Sequence, residues 1–391
     1  MIEDKVINFL SKLDSLTFLK YTDLPPGNHL VVNESVKDLI DSLSNYRRLM
    51  ILVTDNTRPT PTKELLNSII PNLNGLEVEV VIATGLHSMT LSEAINMVGN
   101  INIPIHVHNA DKDVHEYIGT TPQGIPVELL RSVIDSDAIL IISYIMPHPW
   151  SGFSGGAKLL LPGISSRESI IRHHVRFYNN PMALPGVIEG NPFRSEIDYV
   201  LKLLPNDIYG INVVDVRGGV IYGTIGELSI SYAKAVDACS DLRIRDVAGK
   251  FDTLVIDARP LNINLYQSMK ALFNNLMISH RNSLIVLLTS CRGGGPREFV
   301  DYLLNYDKMS LPEGGDVVPY LVASCIRERL KDKELIIVTD GLDEVKADNI
   351  EITRNVDDVV KLITNRIKLG DSVGLIYEGS KYVHRVKGGL Y

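Results

Sequence analysis

The chain has 391 residues, 45% hydrophobic and 22% charged, which is ample apolar material and more length than a single core usually takes. Its formal charge of −8 excludes the basic face that nucleic-acid binding requires. No stretch supplies the roughly 18 apolar residues of a membrane-spanning helix, and Met1 to Lys12 lacks the apolar run of a secretory leader, so a cytoplasmic protein is expected.

In chain order, short Val- and Ile-rich runs bounded by turn residues predict strands at Met50 to Val53, Val78 to Ala83, Ala138 to Tyr144, Thr253 to Ile256, Leu284 to Leu288 and Leu335 to Val338. Their nearly continuous apolarity suits strands covered on both faces, as in parallel sheets. Helical spacing falls between them, at Ser35 to Arg48, Thr62 to Ile70, and Leu91 to Val98 behind a Thr90/Glu93 capping box. Ile208 to Leu228 reads as a hairpin with its turn in VRGGVIYG. The alternation predicts an α/β protein of two domains with mainly parallel sheets and an active-site cleft between them. Charges gather around a glycine in DLRIRDVAGKF, and the division is placed there, giving domains 1–246 and 247–391. Cys239, Cys291 and Cys325 are far apart and form no zinc-knuckle or redox spacing; they read as buried thiols.

Reactive side chains recur just past the predicted strands, where open α/β sheets place ligands. Asp55 and Arg58 share the turn TDNTRPTP, and the planar guanidinium suits a substrate carboxylate; a turn-stabilising Asp and a surface Arg is the equally weighted bland reading. His87 ends ATGLH, after a glycine that permits a sharp turn; alone, such a histidine is more often a structural hydrogen bonder than an acid or base. The run from His148 to His174 is richest: Trp150, Gly152, Ser154, Gly155 and Gly156 precede Lys158, and a loop of this kind can offer backbone N–H groups to a phosphate. It is no P-loop, because the glycines are too close and Leu159 stands where Ser or Thr would hold magnesium. His148, His173 and His174 around that loop could supply a base and a metal ligand. Gln267 and Lys270 share one face of a helix beginning at Leu265. SCRGGGPREF, with Arg292 and Glu298, is a weaker candidate. A dinucleotide fingerprint after a first strand is absent, which argues against a nicotinamide dehydrogenase.

Taken in order, TDNTRP, ATGLH, the His148 and Lys158 pair around GFSGGAK, LPGIS, His174 and LYQSMK resemble the nickel-pincer lactate racemase family over roughly residues 50 to 272. The resemblance implies a racemase or epimerase of a 2-hydroxy acid (lactate-like, dicarboxylic or aldonic) that removes and returns a hydride at the α carbon. It implies a cofactor, the nickel complex of pyridinium-3,5-bisthiocarboxylic acid mononucleotide, joined covalently to Lys158, with His174 as the protein's metal ligand. Trp150, Gly152, Ser154, Gly155 and Gly156 would line the cofactor, His87 and His148 would be the acid–base pair, and Asp55, Arg58, Gln267 and Lys270 would meet the substrate, Asp55 orienting Arg58. Cofactor-synthesis enzymes are the implied partners. Ala157 stands where the family commonly has Arg, and Pro296 and Arg297 where the lactate enzymes have an acidic residue; Arg292 or Arg297 would suit a second carboxylate or several hydroxyls. The alternative is a nucleotide or nickel-cofactor binding protein without turnover.

Overall fold

A computed structural model describes residues 1–13, 15–21, 32–306, 310, 312 and 317–388. Two mainly parallel sheets organise it. In the first, the strand order is Val220–Glu227, Asp207–Arg217, Ala138–Tyr144, Arg48–Thr54, Glu77–Ala83, Ile105–Val107, parallel except for the first pair. The second runs Leu16–Leu19, Val373–Ile376, Phe251–Asp257, Ser279–Leu288, Glu334–Val338, Ile350–Thr353, Val345–Ala347, parallel except for the last pair.

The central strands are apolar along their length because both faces are covered. Along Arg48–Thr54, Met50 and Leu52 join one buried cluster while Leu49, Ile51 and Val53 join another on the opposite face, as a period of two dictates. Each such fully buried aliphatic chain contributes about 1.5–3 kcal/mol of transfer free energy. The cluster containing Met50 and Leu52 continues through Leu160 and Phe193 to Leu254, Ile256 and Leu272 beside the second sheet.

Three sequence expectations meet particular structural outcomes. The helix expected over Ser35 to Arg48 spans Val32–Leu43, because the amides of Arg47 and Arg48 donate to the Asp137 carboxylate and Arg48 pairs with Glu77 in the sheet. The hairpin forms around Gly218 and Gly219, both at positive φ, as a two-residue turn between twisted strands needs. The unit expected over 1–246 contains a segment that pairs elsewhere: Leu16–Leu19 lies beside Val373–Ile376, and Ile2, Val6 and Leu10 pack with Val255, Leu284 and Val359. The chain therefore begins against the second sheet before entering the first. Near the expected division, Ile244–Val247 pairs in parallel with Val383–Val386. The three cysteines are free and buried.

Candidate active site

The loops that leave the C-terminal ends of the Arg48–Thr54, Glu77–Ala83 and Ala138–Tyr144 strands carry Asp55, His87 and His148. Sheet register sets these three neighbouring exits side by side, since Val53 pairs with both Ile82 and Ile142.

Asp55 is buried, and its Oδ2 accepts from His87 Nδ1 at 2.7 Å. Its other oxygen accepts from the Thr57 amide at 3.1 Å and the Thr57 hydroxyl at 2.5 Å. Burial would raise this carboxyl, but the His87 hydrogen bond and charge, Arg58 and Thr57 outweigh it and hold it at about 2. The expected pairing is thus corrected: Asp55 orients His87, while Arg58 donates to the carbonyl and hydroxyl of Thr57 at 3.2 and 3.0 Å. With Nδ1 engaged by Asp55, Nε2 is the nitrogen of this half-exposed ring left to exchange a proton.

His148 is held differently. The backbone amides of Trp150 and Ser151 donate to its Nδ1 at 3.3 and 3.2 Å, inside the short hairpin in which His148 pairs with Gly152. Burial lowers its pKa well below the usual imidazole value, and the charges of Lys158, Arg58 and Lys270 push the same way. The neutral ring therefore carries its proton at Nε2.

Lys158 follows the glycine loop on a short 3-10 turn, Gly156–Leu159. Burial, with the charges of Arg58 and Arg194, brings its amine down to about 7. Lys270 is also lowered strongly, first by burial and then by Arg58, and its Nζ donates to Gln267 Oε1 at 2.6 Å. That pair rides on the helix Leu265–Asn275, whose N-cap Asn264 accepts from the Gln267 amide. Arg58 acts on both Lys158 and Lys270, Lys158 acts on Lys270, and Asp55 is the carboxylate that acts on Arg58 and Lys270, an arrangement that favours an anion.

On the helix Arg167–Phe177, His173 and His174 point differently, which spacing alone left open. His173 Nε2 donates to the Phe193 carbonyl at 3.0 Å, in an apolar setting. His174 Nδ1 donates to the Ile170 carbonyl at 2.8 Å, leaving Nε2 as a lone pair; burial and Lys158 take its pKa to about 3, so the ring is neutral. Trp150 stands edge-on to His174 at 5.7 Å between centroids, and its indole N–H has no partner among the described residues.

The glycine loop is partly bonded to itself and its neighbours. The amides of Phe153, Ser154, Gly156 and Lys158 already bond to Ser151, Met146, Ser143 and Gly155, so they are not open donors for a phosphate. Ser154 Oγ bridges the Met146 amide and the Tyr144 carbonyl. The glycines serve close packing: a Cβ at Gly152 would lie 2.1 Å from the Val187 carbonyl oxygen, at Gly155 2.4 Å from Ile145, and at Gly156 2.5 Å from the Tyr232 ring. The Gly293 to Gly295 segment likewise supports the helix carrying Lys270, through Leu265 N–H to Gly294 O, while Arg292, Arg297 and Glu298 are exposed.

Sequence reasoning missed Arg194. It is buried, paired with Asp198 at 2.6 Å, bonded to the Tyr232 hydroxyl at 2.7 Å and stacked 4.0 Å from that ring, beside Lys158 and the Gly155 carbonyl. An Asn-Pro helix start at Asn191 was its one sequence signal. Also missed was a cavity of about 60 Å³ between His148 and Lys270, walled mainly by apolar side chains.

A mainly parallel α/β fold with a cation-rich site flanked by two imidazoles narrows the class to proteins that act on, or hold, a small anionic molecule. The chain matches the lactate racemase N-terminal domain over residues 29–186. It is 29% identical over 273 residues to the lactate racemase of Thermoanaerobacterium thermosaccharolyticum, an alignment spanning 66% of this chain and 63% of that relative. To the lactate racemase of Lactiplantibacillus plantarum it is 23% identical over 373 residues, 88% of this chain and 86% of the relative. The lactate racemase apoprotein of T. thermosaccharolyticum superposes with a TM-score of 0.82 at 23% identity, covering 96% of each chain. A Thermotoga maritima protein superposes with a TM-score of 0.68 at 20% identity, covering 94% of this chain and all of that one. No helix among the described residues is long and apolar enough to cross a membrane.

Proposed function

We propose that this chain is a racemase or epimerase of a 2-hydroxy acid, working with a nickel pincer group carried on Lys158. The observation that carries the reading is the convergence of His148, Lys158, His174, Arg58 and Lys270 on one another's electrostatics, with His87 tied to the same cluster through Asp55.

The residues fit such a group. A lysine amine brought to about 7 is substantially uncharged near neutrality and so nucleophilic. His174 keeps its Nε2 lone pair, and the Trp150 indole N–H has no acceptor among the described residues. Among the described residues no group of three or more His, Cys, Asp or Glu could hold a metal, so further donors would come from the organic part of the cofactor. When bound, that group supplies an acceptor for the carbinol hydride, which no side chain provides.

The chain's own residues do the rest. Arg58 and Lys270 hold the substrate carboxylate, and Gln267 steadies Lys270. Asp55 fixes His87 so that Nε2 takes the hydroxyl proton of one enantiomer. Loss of that proton and of the hydride leaves a planar 2-oxo acid, which can be rebuilt on either face. His148 serves the hydroxyl of the other enantiomer. Protein produced together with the cofactor-synthesis enzymes should show added mass on Lys158 and convert a single enantiomer of a 2-hydroxy acid to a racemate; Lys158→Ala should lose both. Adduct-bearing protein that racemises no 2-hydroxy acid would be a cofactor carrier, and the proposal would fail.

A further inference from the structure

Resting on that reading, we infer that the substrate bears an apolar side chain of several carbons on its hydroxyl-bearing carbon, longer than a methyl group and without a second carboxylate. The cavity is lined in part by His148 and Lys270, the two side chains that would face the reacting carbon and the carboxylate, while Arg58 and His87 do not line it. The rest of its lining would surround the substituent.

Its walls there are Trp150, Tyr266, Met269, Phe273 and Val322. Trp150, Met269, Phe273 and Val322 are buried. Such a wall gains by excluding water against carbon, and its polar atoms, the Trp150 indole N–H and the Tyr266 hydroxyl, are too few for a second carboxylate or a run of hydroxyls. The volume, about 60 Å³, holds about four water-sized groups at the 10–15 Å³ each requires, so a methyl group would leave most of the wall without contacts.

The cations once assigned to a dicarboxylic or sugar-acid substrate do not reach this space: Arg292 and Arg297 are exposed and absent from the lining. Arg329 stacks over the Phe273 ring, 5.0 Å from its centroid, and is likewise no part of the wall. Met269 is an unbranched thioether that can adjust to branched or aryl groups.

The test is a panel of single enantiomers given to cofactor-loaded protein: lactate, 2-hydroxy-4-methylpentanoate, 3-phenyllactate, malate and gluconate, followed by chiral chromatography. The expected order puts 2-hydroxy-4-methylpentanoate at least about tenfold above lactate in kcat/KM, the scale of added methylenes in an apolar pocket, and malate and gluconate at least about a hundredfold below it. Val322→Phe, which fills the cavity, should cut the ratio of 2-hydroxy-4-methylpentanoate to lactate by about tenfold or more. Calorimetric binding of the matching 2-oxo acids should follow the same order, with 4-methyl-2-oxopentanoate ahead of pyruvate and oxaloacetate. Lactate, malate or gluconate leading the turnover order, or oxaloacetate leading the binding order, overturns this inference while leaving the racemase reading intact. Turnover of no acid in the panel, with the binding order as expected, overturns the racemase reading instead.

Discussion

His87 and His148 occupy equivalent places, each just beyond a strand of the same sheet, yet the protein holds them by opposite means. A side chain fixes His87: Asp55 accepts its Nδ1 proton at 2.7 Å and leaves Nε2 free to take another. The main chain fixes His148: two amides donate to Nδ1 and leave the proton at Nε2. One imidazole, half exposed, rests against a buried carboxylate; the other lies in the interior near Lys158, Arg58 and Lys270. At rest the pair is therefore complementary, one ring poised to accept at Nε2 and the other to donate from it. For His148 to act as a base its proton must move to Nδ1, and the amide contacts of 3.2 and 3.3 Å, long for hydrogen bonds, must lengthen further.

The largest expected effects come from removing either ring. His87→Ala and His148→Ala should each lower kcat/KM by about a thousandfold, within the range of lost acid–base catalysis. Because enantiomers have equal free energy, the loss must be the same starting from either one. A variant that slowed only one direction's kcat/KM would point to contaminating activity.

The supports should fail separately. Asp55→Asn, whose amide can donate to His87 Nδ1 and drive the proton to Nε2, should lower kcat by about a hundredfold with little change in the nickel content of loaded protein. Gly152→Ala strikes the His148 side, since its φ of +72° and a Cβ 2.1 Å from the Val187 carbonyl force the hairpin to shift. Denaturant unfolding should show a loss of about 2–3 kcal/mol.

Asp55 also sets an acid limit. Its carboxyl is held at about 2 against an ordinary 3.8. A depressed carboxylate stabilises the fold fully above the ordinary value and loses that contribution as pH falls through about 2, here about 2 kcal/mol. The stability gap between the native chain and Asp55→Asn should be constant above about pH 5 and close toward pH 2; a gap that widens on acidification would contradict the assignment. The smallest effect is spectroscopic: nitrogen NMR should report opposite tautomers for the two rings.

Much of this was legible in the sequence because it depends on where strands end. Uniform apolar runs fixed the parallel strands, and the residues after them, Asp55, His87 and His148, emerged at one sheet edge. Contacts between distant segments were not legible. Periodicity could not give Asp55 to His87 rather than Arg58, since a turn is compatible with both. Nor could the glycine pattern distinguish open amides from amides already bonded to Ser143 and Met146. The short Leu16–Leu19 strand gave no sign that it would pair with Val373–Ile376, more than three hundred residues away. Arg194 and Val322 lie in ordinary helical sequence and acquire meaning only from what they face.

The two-imidazole claim is tested most directly by acid-quenching cofactor-loaded His87→Ala and His148→Ala after mixing with each pure enantiomer and measuring the 2-oxo acid released. With one base left, each variant can complete only the first half of the reaction and only for the enantiomer its remaining imidazole faces. The account predicts up to one equivalent of 2-oxo acid from opposite enantiomers in the two variants. The same enantiomer reacting in both, or racemisation by either variant at close to the native rate, would contradict it.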